Sequence, residues 1–242
     1  MTLRDKHQAK LFSIEMKMAD IPDMDHRLLG VMRRFGIHFG FGERTVGEVC
    51  TEAGINPFTL VLICRIYASD SYVPSNEELS RSSICDLVKY LHNSHDFYIG
   101  IVLENLSSLL MDALSCCDSA RRTVIEKFYL EYKKEILKHF AYEEEVAFPY
   151  IEALIEGRQT NDGYTISQFE ANHTHIDEKL NDLKNIVMKY MPAGCDDNKI
   201  QDVLSLLYSL EDDLGRHTYI EDDILVPMVV EKEESMCHDA RS

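Results

Sequence analysis

The sequence has few of the residues that interrupt helices, with only 11 glycines and 6 prolines among 242 residues. Both residue types are costly inside a helix, so their scarcity leaves long uninterrupted stretches. In those stretches helix-forming residues dominate, and apolar residues recur at intervals of three and four, the spacing of one helix face. The sequence therefore predicts an all-α protein.

Basic residues are also scarce, since 25 lysines and arginines stand against 42 aspartates and glutamates. The formal net charge of −17 excludes a protein that holds nucleic acid or an anionic membrane through its overall charge. The sequence also lacks an apolar run of about 18 residues, and its polar start has no apolar signal core. We therefore expect a cytoplasmic protein without a membrane association.

The seven cysteines form no C-x-x-C motif and no spacing typical of a disulfide framework. We therefore expect reduced thiols, with neither a structural disulfide set nor a thiolate zinc site. The adjacent Cys116 and Cys117 fall between two predicted helices, where they could react with nitric oxide or oxidants. A thiol pair in a loop is usually inert, so we assign it no function.

Charge and chain-breaking residues divide the sequence near residues 75–82. Residues 1–80 carry 9 basic and 11 acidic side chains, whereas residues 81–242 carry 16 and 31. Ser83, followed three residues later by Asp86, resembles the capping pattern of a helix start. We therefore predict a small helical N-terminal domain over residues 1–80 and a second domain over residues 81–236.

Periodicity and capping signals predict helices in both domains. In the first domain the predicted helices cover 22–35, 45–53 and 57–69, and in the second they cover 83–114, 119–156, 166–190 and 197–233. Two of the three connections between the last four helices are short enough to force antiparallel neighbours. The second domain is therefore predicted to be an up-down-up-down four-helix bundle.

One motif occurs twice in the predicted bundle. A histidine is followed by a glutamate four residues later and by a proline ten residues later, once at His139, Glu143 and Pro149 and again at His217, Glu221 and Pro227. Residues four apart lie on the same face of a helix, one turn from each other, so imidazole and carboxylate converge. Each copy of the motif therefore offers half of a metal site.

The helix lengths predict that the two halves face each other. His139 and His217 each follow their helix start by 20 residues, about 30 Å along two parallel helices. His95 lies 19 residues before the predicted end of the first helix, and His173 lies 17 residues before the predicted end of the third. Both histidines are therefore expected at the same level as His139 and His217, within the error of the helix ends. Four imidazoles and two carboxylates suit two metal ions, each bound by two histidines and both bridged by the glutamates, with a coordination position left open. We expect two non-haem iron ions, and nitrogen and oxygen ligands leave manganese and zinc as alternatives.

Several neighbouring residues compete for the same roles. His92 lies one helical turn before His95, and His175 lies on a different helix face from His173, which is nearer the apolar stripe. Asp177 and Asp222 are alternative carboxylates, although surface charge is the usual role of such residues. We expect Glu144, Glu145 and Asp223 to be solvated, and we assign no chemistry to Tyr142 and Tyr219.

These motifs resemble the hemerythrin-like di-iron proteins and, among them, the repair-of-iron-centres family of the YtfE and ScdA type. That family has an N-terminal helical module followed by a four-helix bundle. Carried over by motif, the resemblance implies the following metal ligands: His95, His139, Glu143, His173, His217 and Glu221. It also implies an oxo-bridged and carboxylate-bridged iron pair. Oxygen-carrying hemerythrins have a further histidine where this chain has Asp177, which argues against oxygen transport.

The N-terminal domain resembles the family's front module through the segments 34–37, 45–50 and 54–55, but it departs from the family at one turn. Where the family commonly has Cys-Cys-Gly-Gly, this chain has a turn that begins at His38. A delivery or redox role that depends on those cysteines is therefore not expected here. His38 is an alternative ligand at that turn, although a loop histidine is usually solvated.

The resemblance implies a protein that repairs iron-sulfur clusters damaged by nitrosative or oxidative stress, with iron donation as one route. Damaged or apo iron-sulfur proteins and the gases NO and O2 are the expected partners, and a homodimer is a candidate assembly. A di-iron reductase of nitric oxide, oxygen or peroxide is the second hypothesis. The third is a gas or redox sensor, in which the metal site acts on the N-terminal domain or on a partner. In that hypothesis a weak DNA contact would use the cluster of Arg27, Arg33, Arg34 and Arg44.

Overall fold

The computed structural model describes residues 12–158, 164–172 and 176–239, except for the side chains of 170–172 and 237–239. Every regular element in these ranges is a helix, and the only extended pairing among them is an isolated bridge between Lys17 and Thr45. The prediction of an all-α protein is confirmed. The chain forms two compact units, one made of residues 1–94 with 220–242 and the other of residues 95–219. The predicted domain division after residue 80 stays a prediction.

The N-terminal part of the first unit contains short helices with well-formed caps. Its α-helices in the described residues are α1 Ile21–Met24, α2 Leu28–Arg34, α3 Val46–Ala53, α4 Pro57–Ala68 and α5 Asn76–Arg81. The Thr45 side chain accepts a hydrogen bond from the Glu48 backbone, and the Glu48 carboxylate accepts one from the Thr45 backbone N–H. Gly54 ends α3 with a φ of 68°. The expected starts and ends of α3 and α4 are therefore correct to within one residue.

Two local features of this unit differ from the predicted helices. The predicted helix 22–35 is divided into α1 and α2, because Asp25 is extended and its carboxylate accepts a hydrogen bond from the Arg27 backbone. The segment expected to be a break contains α5, which begins with a second capping box between Ser75 and Glu78. The sequence itself carries this helix-start pattern, a serine followed three residues later by a glutamate.

Four long helical stretches follow, and three of them are interrupted by a π turn. The first consists of α6 Ile84–Phe97, a π turn at Tyr98–Val102, α7 Leu103–Ala113 and a 3-10 turn at Leu114–Cys116. The second consists of α8 Ser119–Tyr142, a π turn at Glu143–Ala147 and α9 Phe148–Ile155. The third is a 3-10 segment at Ile166–Asn172 and α10 Ile176–Tyr190, and the fourth is α11 Asp197–Tyr219, a π turn at Ile220–Leu225 and α12 Val226–Asp239. The first, second and fourth predicted bundle helices are thus present. The third was predicted from residue 166, but its described α-helix begins at Ile176 after a 3-10 segment.

Leucine and isoleucine side chains at helical spacing form the core of the second unit. Leu106, Leu110, Ile136, Leu180 and Leu207 are buried together in one cluster. Each such side chain stabilises the fold by about 1.5–3 kcal/mol relative to an exposed position. Helix α11 packs against α7 and α10, and α10 packs against α8.

The ring of helices in the second unit is closed between α7 and α8. There the Tyr129 hydroxyl donates to the Leu103 carbonyl over 2.7 Å, and Lys133 pairs with Glu104 over 2.9 Å. Together with the packing of α11, α10 and α8, these contacts complete an antiparallel arrangement of α7, α8, α10 and α11.

The expectation of reduced thiols is wrong for one pair of cysteines. Cys116 and Cys195 form a disulfide, with their Cα atoms 5.5 Å apart and a sequence separation of 79 residues. Cys116 lies in the turn after the first bundle helix, and Cys195 lies in the turn before the fourth. In an antiparallel bundle these two turns meet at one end, a proximity that cysteine spacing does not reveal.

The first bundle helix, residues 84–116, is long and apolar enough to cross a membrane when only length and composition are considered. Its Leu103, Leu106 and Leu110 are buried in the cluster of the second unit. A core helix of a soluble protein passes the same test, and 33% of the most apolar window of this helix is buried. The cytoplasmic location of the protein stays a prediction.

Candidate metal centre

Four of the predicted ligands come together in the structure. His95, Glu143, His217 and Glu221 each offer one ligand atom, and these atoms lie within 4.8 Å of one another. None of the four residues is more than 2% exposed. The two glutamates are fully buried, which is rare for carboxylates without a compensating charge.

His139 joins this group through Glu143. One carboxylate oxygen of Glu143 lies 2.9 Å from Nε2 of His139, and the other lies 3.0 Å from Nε2 of His95. The Nε2 atoms of His95 and His217 are 3.1 Å apart. Glu143 therefore contacts imidazoles from two helices, and His95 contacts both Glu143 and His217.

The remaining candidates are placed as follows. His173 and the alternative His175 lie outside the described residues. His92 and Asp177 are exposed, and Asp222 is half-buried. His38, in the first unit, is exposed as well. The metal-ligand roles of all six predicted residues stay predictions. The structure describes the positions of all of them except His173.

A proline follows two of the three π turns, the two that belong to the repeated motif. Proline has no N–H, and its ring clashes with the carbonyl four residues back, so a regular α-helix cannot run through Pro149. The helix widens into a π turn that starts at Glu143, and the Phe148 N–H donates to the Glu143 carbonyl, five residues back. The second copy of the motif has its π turn at Ile220–Leu225, just before Pro227. Such turns are frequent at functional sites, and periodicity alone predicted plain α-helix here.

Glu144 was expected to be solvated, and this expectation is wrong. Its carboxylate lies 2.6 Å from Nδ1 of His95, on the opposite side of the ring from Glu143. The side chain is 31% exposed, so it connects a buried imidazole with the surface. Consecutive residues of a regular helix point about 100° apart, which is why sequence reasoning assigned only Glu143 to the site. The wider π turn lets two adjacent glutamates reach the same imidazole.

Aromatic side chains enclose the histidines, and none of them was predicted as part of the site. The His95 ring stacks on Phe140 at a centroid distance of 4.1 Å and on Phe148 at 5.5 Å. Tyr98 meets the His217 ring edge-on at 5.5 Å. Such packing fixes the ring planes and keeps water away from them. Tyr142, by contrast, forms a hydrogen bond with Tyr164.

The charges of the site favour a cationic occupant. Burial raises the pKa of Glu143, but hydrogen bonds from His139 and His95 outweigh it, and the pKa lies well below its ordinary value. Burial lowers the pKa of His95, whereas Glu143 and Glu144 raise it above its ordinary value. The carboxylate of Glu143 is thus ionised inside the protein, next to the buried Glu221. Two buried carboxylates with imidazoles around them could hold a metal ion, and this set of nitrogen and oxygen donors fits iron.

Two comparisons with known proteins agree with this geometry. Residues 86–229 match the family model described as the hemerythrin HHE cation binding domain. The chain is also 22% identical over 199 residues to the iron-sulfur cluster repair protein ScdA of Staphylococcus haemolyticus, in an alignment that covers 81% of this chain and 89% of that protein. Both matches confirm the resemblance that the motifs indicated.

Proposed function

Because the chain belongs to the family of hemerythrin HHE cation-binding domains, we propose that its His/Glu cluster binds two iron ions and that the protein supplies iron to damaged iron-sulfur clusters. The observation that supports this most is the convergence of four buried ligand atoms within 4.8 Å, two of them from carboxylates. The predicted ligands of the pair are His95, His139, Glu143, His173, His217 and Glu221. Iron held there would supply an exchangeable, redox-active metal.

The ligand chemistry supports release to a cluster. The His/Glu cluster of this protein offers nitrogen and oxygen donors. Ferrous iron stands low in the affinity order of divalent metals for such donors. Iron-sulfur proteins hold iron through cysteine thiolates, which are stronger ligands for this purpose. Iron therefore has a thermodynamic reason to pass from this site to an apo or damaged cluster. The relative ScdA is named as an iron-sulfur cluster repair protein, which supports a role at such clusters.

The chain's own residues set the conditions for holding and releasing iron. Phe140 and Phe148 stack on the His95 ring and keep water away from it, and the imidazole is oriented by its contact with Glu144. Because Glu144 is partly exposed, a proton from solvent or a side chain of a partner can reach its carboxylate without opening the bundle. His139 is likewise less buried than the other members of the site.

The proposal is tested first by metal analysis of anaerobically purified protein. We expect close to two irons per chain and, after oxidation, the absorption of an oxo-bridged iron pair. In Glu221→Gln the iron content should fall, because a buried ligand is removed, whereas the exposed neighbour in Asp223→Asn should leave it unchanged. Zinc alone after iron-replete expression would contradict the proposal.

The repair role is tested by transfer. Iron-loaded protein mixed anaerobically with a nitric-oxide-damaged or apo cluster enzyme should restore its activity faster than the same concentration of free ferrous iron. The Glu221→Gln variant should lose this advantage and Asp223→Asn should keep it. If free iron is equally effective, the protein is not a donor.

A reductase is the second candidate, and the aromatic enclosure is the observation that favours it. The apolar surroundings of His95 and His217 suit small uncharged molecules such as nitric oxide or oxygen. A reductase must turn over, so sustained consumption of one gas with a reductant, lost in Glu143→Gln, would support this function. A single stoichiometric reaction would instead leave donation as the function of the site.

A further inference from the structure

A second group of metal-ligand side chains lies at the end of the bundle where two turns meet. The sulfurs of Cys116, Cys117 and Cys195 lie within 4.8 Å of one another. Cys116 and Cys117 belong to the turn before α8, and Cys195 belongs to the turn before α11. His139 and His217 follow the starts of these helices by 20 residues, which places the sulfurs about 30 Å from the His/Glu cluster.

Contacts other than the disulfide hold the two turns in place. Lys199 at the start of α11 pairs with Asp112 near the end of α7 over 2.8 Å. The Arg122 guanidinium donates two hydrogen bonds to the Leu114 carbonyl, and the Asp118 side chain caps the start of α8. The sulfurs are therefore expected to remain neighbours when the disulfide is reduced.

The disulfide does not account for the position of the Cys117 sulfur beside the other two. A covalent link between the turns needs only Cys116 and Cys195. Cys117 is nonetheless half-buried beside them and packs against the core of the bundle. Three thiolates that converge on one point form a ligand set suited to a thiophilic cation such as zinc, with a fourth coordination position left for water.

We propose that, in the reduced chain, Cys116, Cys117 and Cys195 bind one zinc ion, and that zinc binding and the Cys116–Cys195 disulfide exclude each other. Binding releases the three thiol protons. The site is separate from the His/Glu cluster in both place and ligand type, because one offers sulfur and the other nitrogen and oxygen. The proposal therefore holds whether or not the protein donates iron.

The test uses the full chain reduced with a water-soluble phosphine. This reagent breaks the S–S bond, gives two thiols and is itself oxidised to the phosphine oxide, with oxygen taken from water. After removal of the reagent under anaerobic conditions, the protein is titrated with cobalt(II), which reports sulfur ligands by thiolate-to-metal charge-transfer absorption. The His/Glu cluster has no sulfur among its described members and so does not produce this signal.

We expect one equivalent of cobalt to produce the thiolate absorption, and one equivalent of zinc to abolish it. The absorption should be lost in Cys117→Ala, which keeps the two disulfide cysteines, and in oxidised wild type. It should be unchanged in Cys85→Ala, which removes an exposed cysteine elsewhere. Reduced wild type without thiolate absorption would overturn the proposal, and so would unaltered absorption in Cys117→Ala, with circular dichroism showing that each variant is folded.

Discussion

We expect the Cys116–Cys195 disulfide to raise the free energy of unfolding, an effect that can be measured without any metal. Replacing Cys195 with serine removes the covalent link between the two turns and leaves a smaller side chain in the same space. The link spans 79 residues, from the end of the first bundle helix to the start of the fourth. Its loss should therefore act mainly on the unfolded chain, which gains conformational freedom.

The size of the effect follows from the length of the closed loop. The loop-entropy relation assigns a cross-link over 79 residues about 4.5 kcal/mol at 25 °C. Residual helical structure in the unfolded chain reduces the entropy that is regained, so we expect the free energy of unfolding to fall by about 3–4.5 kcal/mol. The folded state should change little, because the Lys199–Asp112 pair and the core packing hold the same end of the bundle.

Urea unfolding followed by circular dichroism, with a metal chelator present, measures this difference. Oxidised wild type should be more stable than both reduced wild type and Cys195→Ser, and the last two should agree within about 0.5 kcal/mol. Cys117→Ser is the matched control, because it replaces a neighbouring thiol and leaves the disulfide intact. A difference below about 1 kcal/mol between oxidised wild type and Cys195→Ser would refute the loop-entropy reasoning.

Three further predictions concern the metal site and the N-terminal helices. The variant Glu144→Gln should bind iron about 10–100-fold more weakly in a competition titration with a chelator, because His95 loses a charged partner, and unchanged affinity would mean that Glu144 does not orient the ring. With chelator present, Glu143→Gln should keep the helical content of wild type, since only partners of the site are lost, and a collapse of circular dichroism would show that Glu143 is needed for folding. Burial raises the pKa of Glu78, but hydrogen bonds from Ser75 and Tyr72 and the charge of Arg65 lower it to about 2 from 4.5. The stability that Glu78 contributes is therefore complete above pH 4.5 and is lost as the pH falls towards 2. Because solvent screens this partly exposed carboxylate, we expect about 1 kcal/mol, measured as the pH-dependent stability that disappears in Glu78→Gln.

The helices and the candidate ligands could be read from the sequence because both depend on short sequence spacing. Thr45 with Glu48, and Asn56 before Pro57, mark helix starts through hydrogen bonds that span at most three residues. The His-x3-Glu spacing likewise places imidazole and carboxylate on one helix face, whatever the rest of the chain does. Repetition of the motif in the second and fourth helices then pointed to a shared site.

Long-range contacts decided the features that the sequence left open. Adjacent residues in a regular helix diverge, so the approach of Glu144 to His95 depends on the π turn and on a residue 49 positions earlier in the chain. The stacking of Phe140 and Phe148 on His95 likewise requires two helices to pack, and apolar residues at such positions usually only fill a core.

The sequence by itself determined the helical class of this protein and the starts of several described helices, and it pointed to five described residues of the candidate metal site, because capping and helix periodicity act over a few residues. Only the tertiary structure decided that Cys116 and Cys195 are bonded, with Cys117 beside them. These cysteines come from turns 79 residues apart, and no local rule relates them. They become neighbours because antiparallel packing brings alternate turns of a four-helix bundle to the same end.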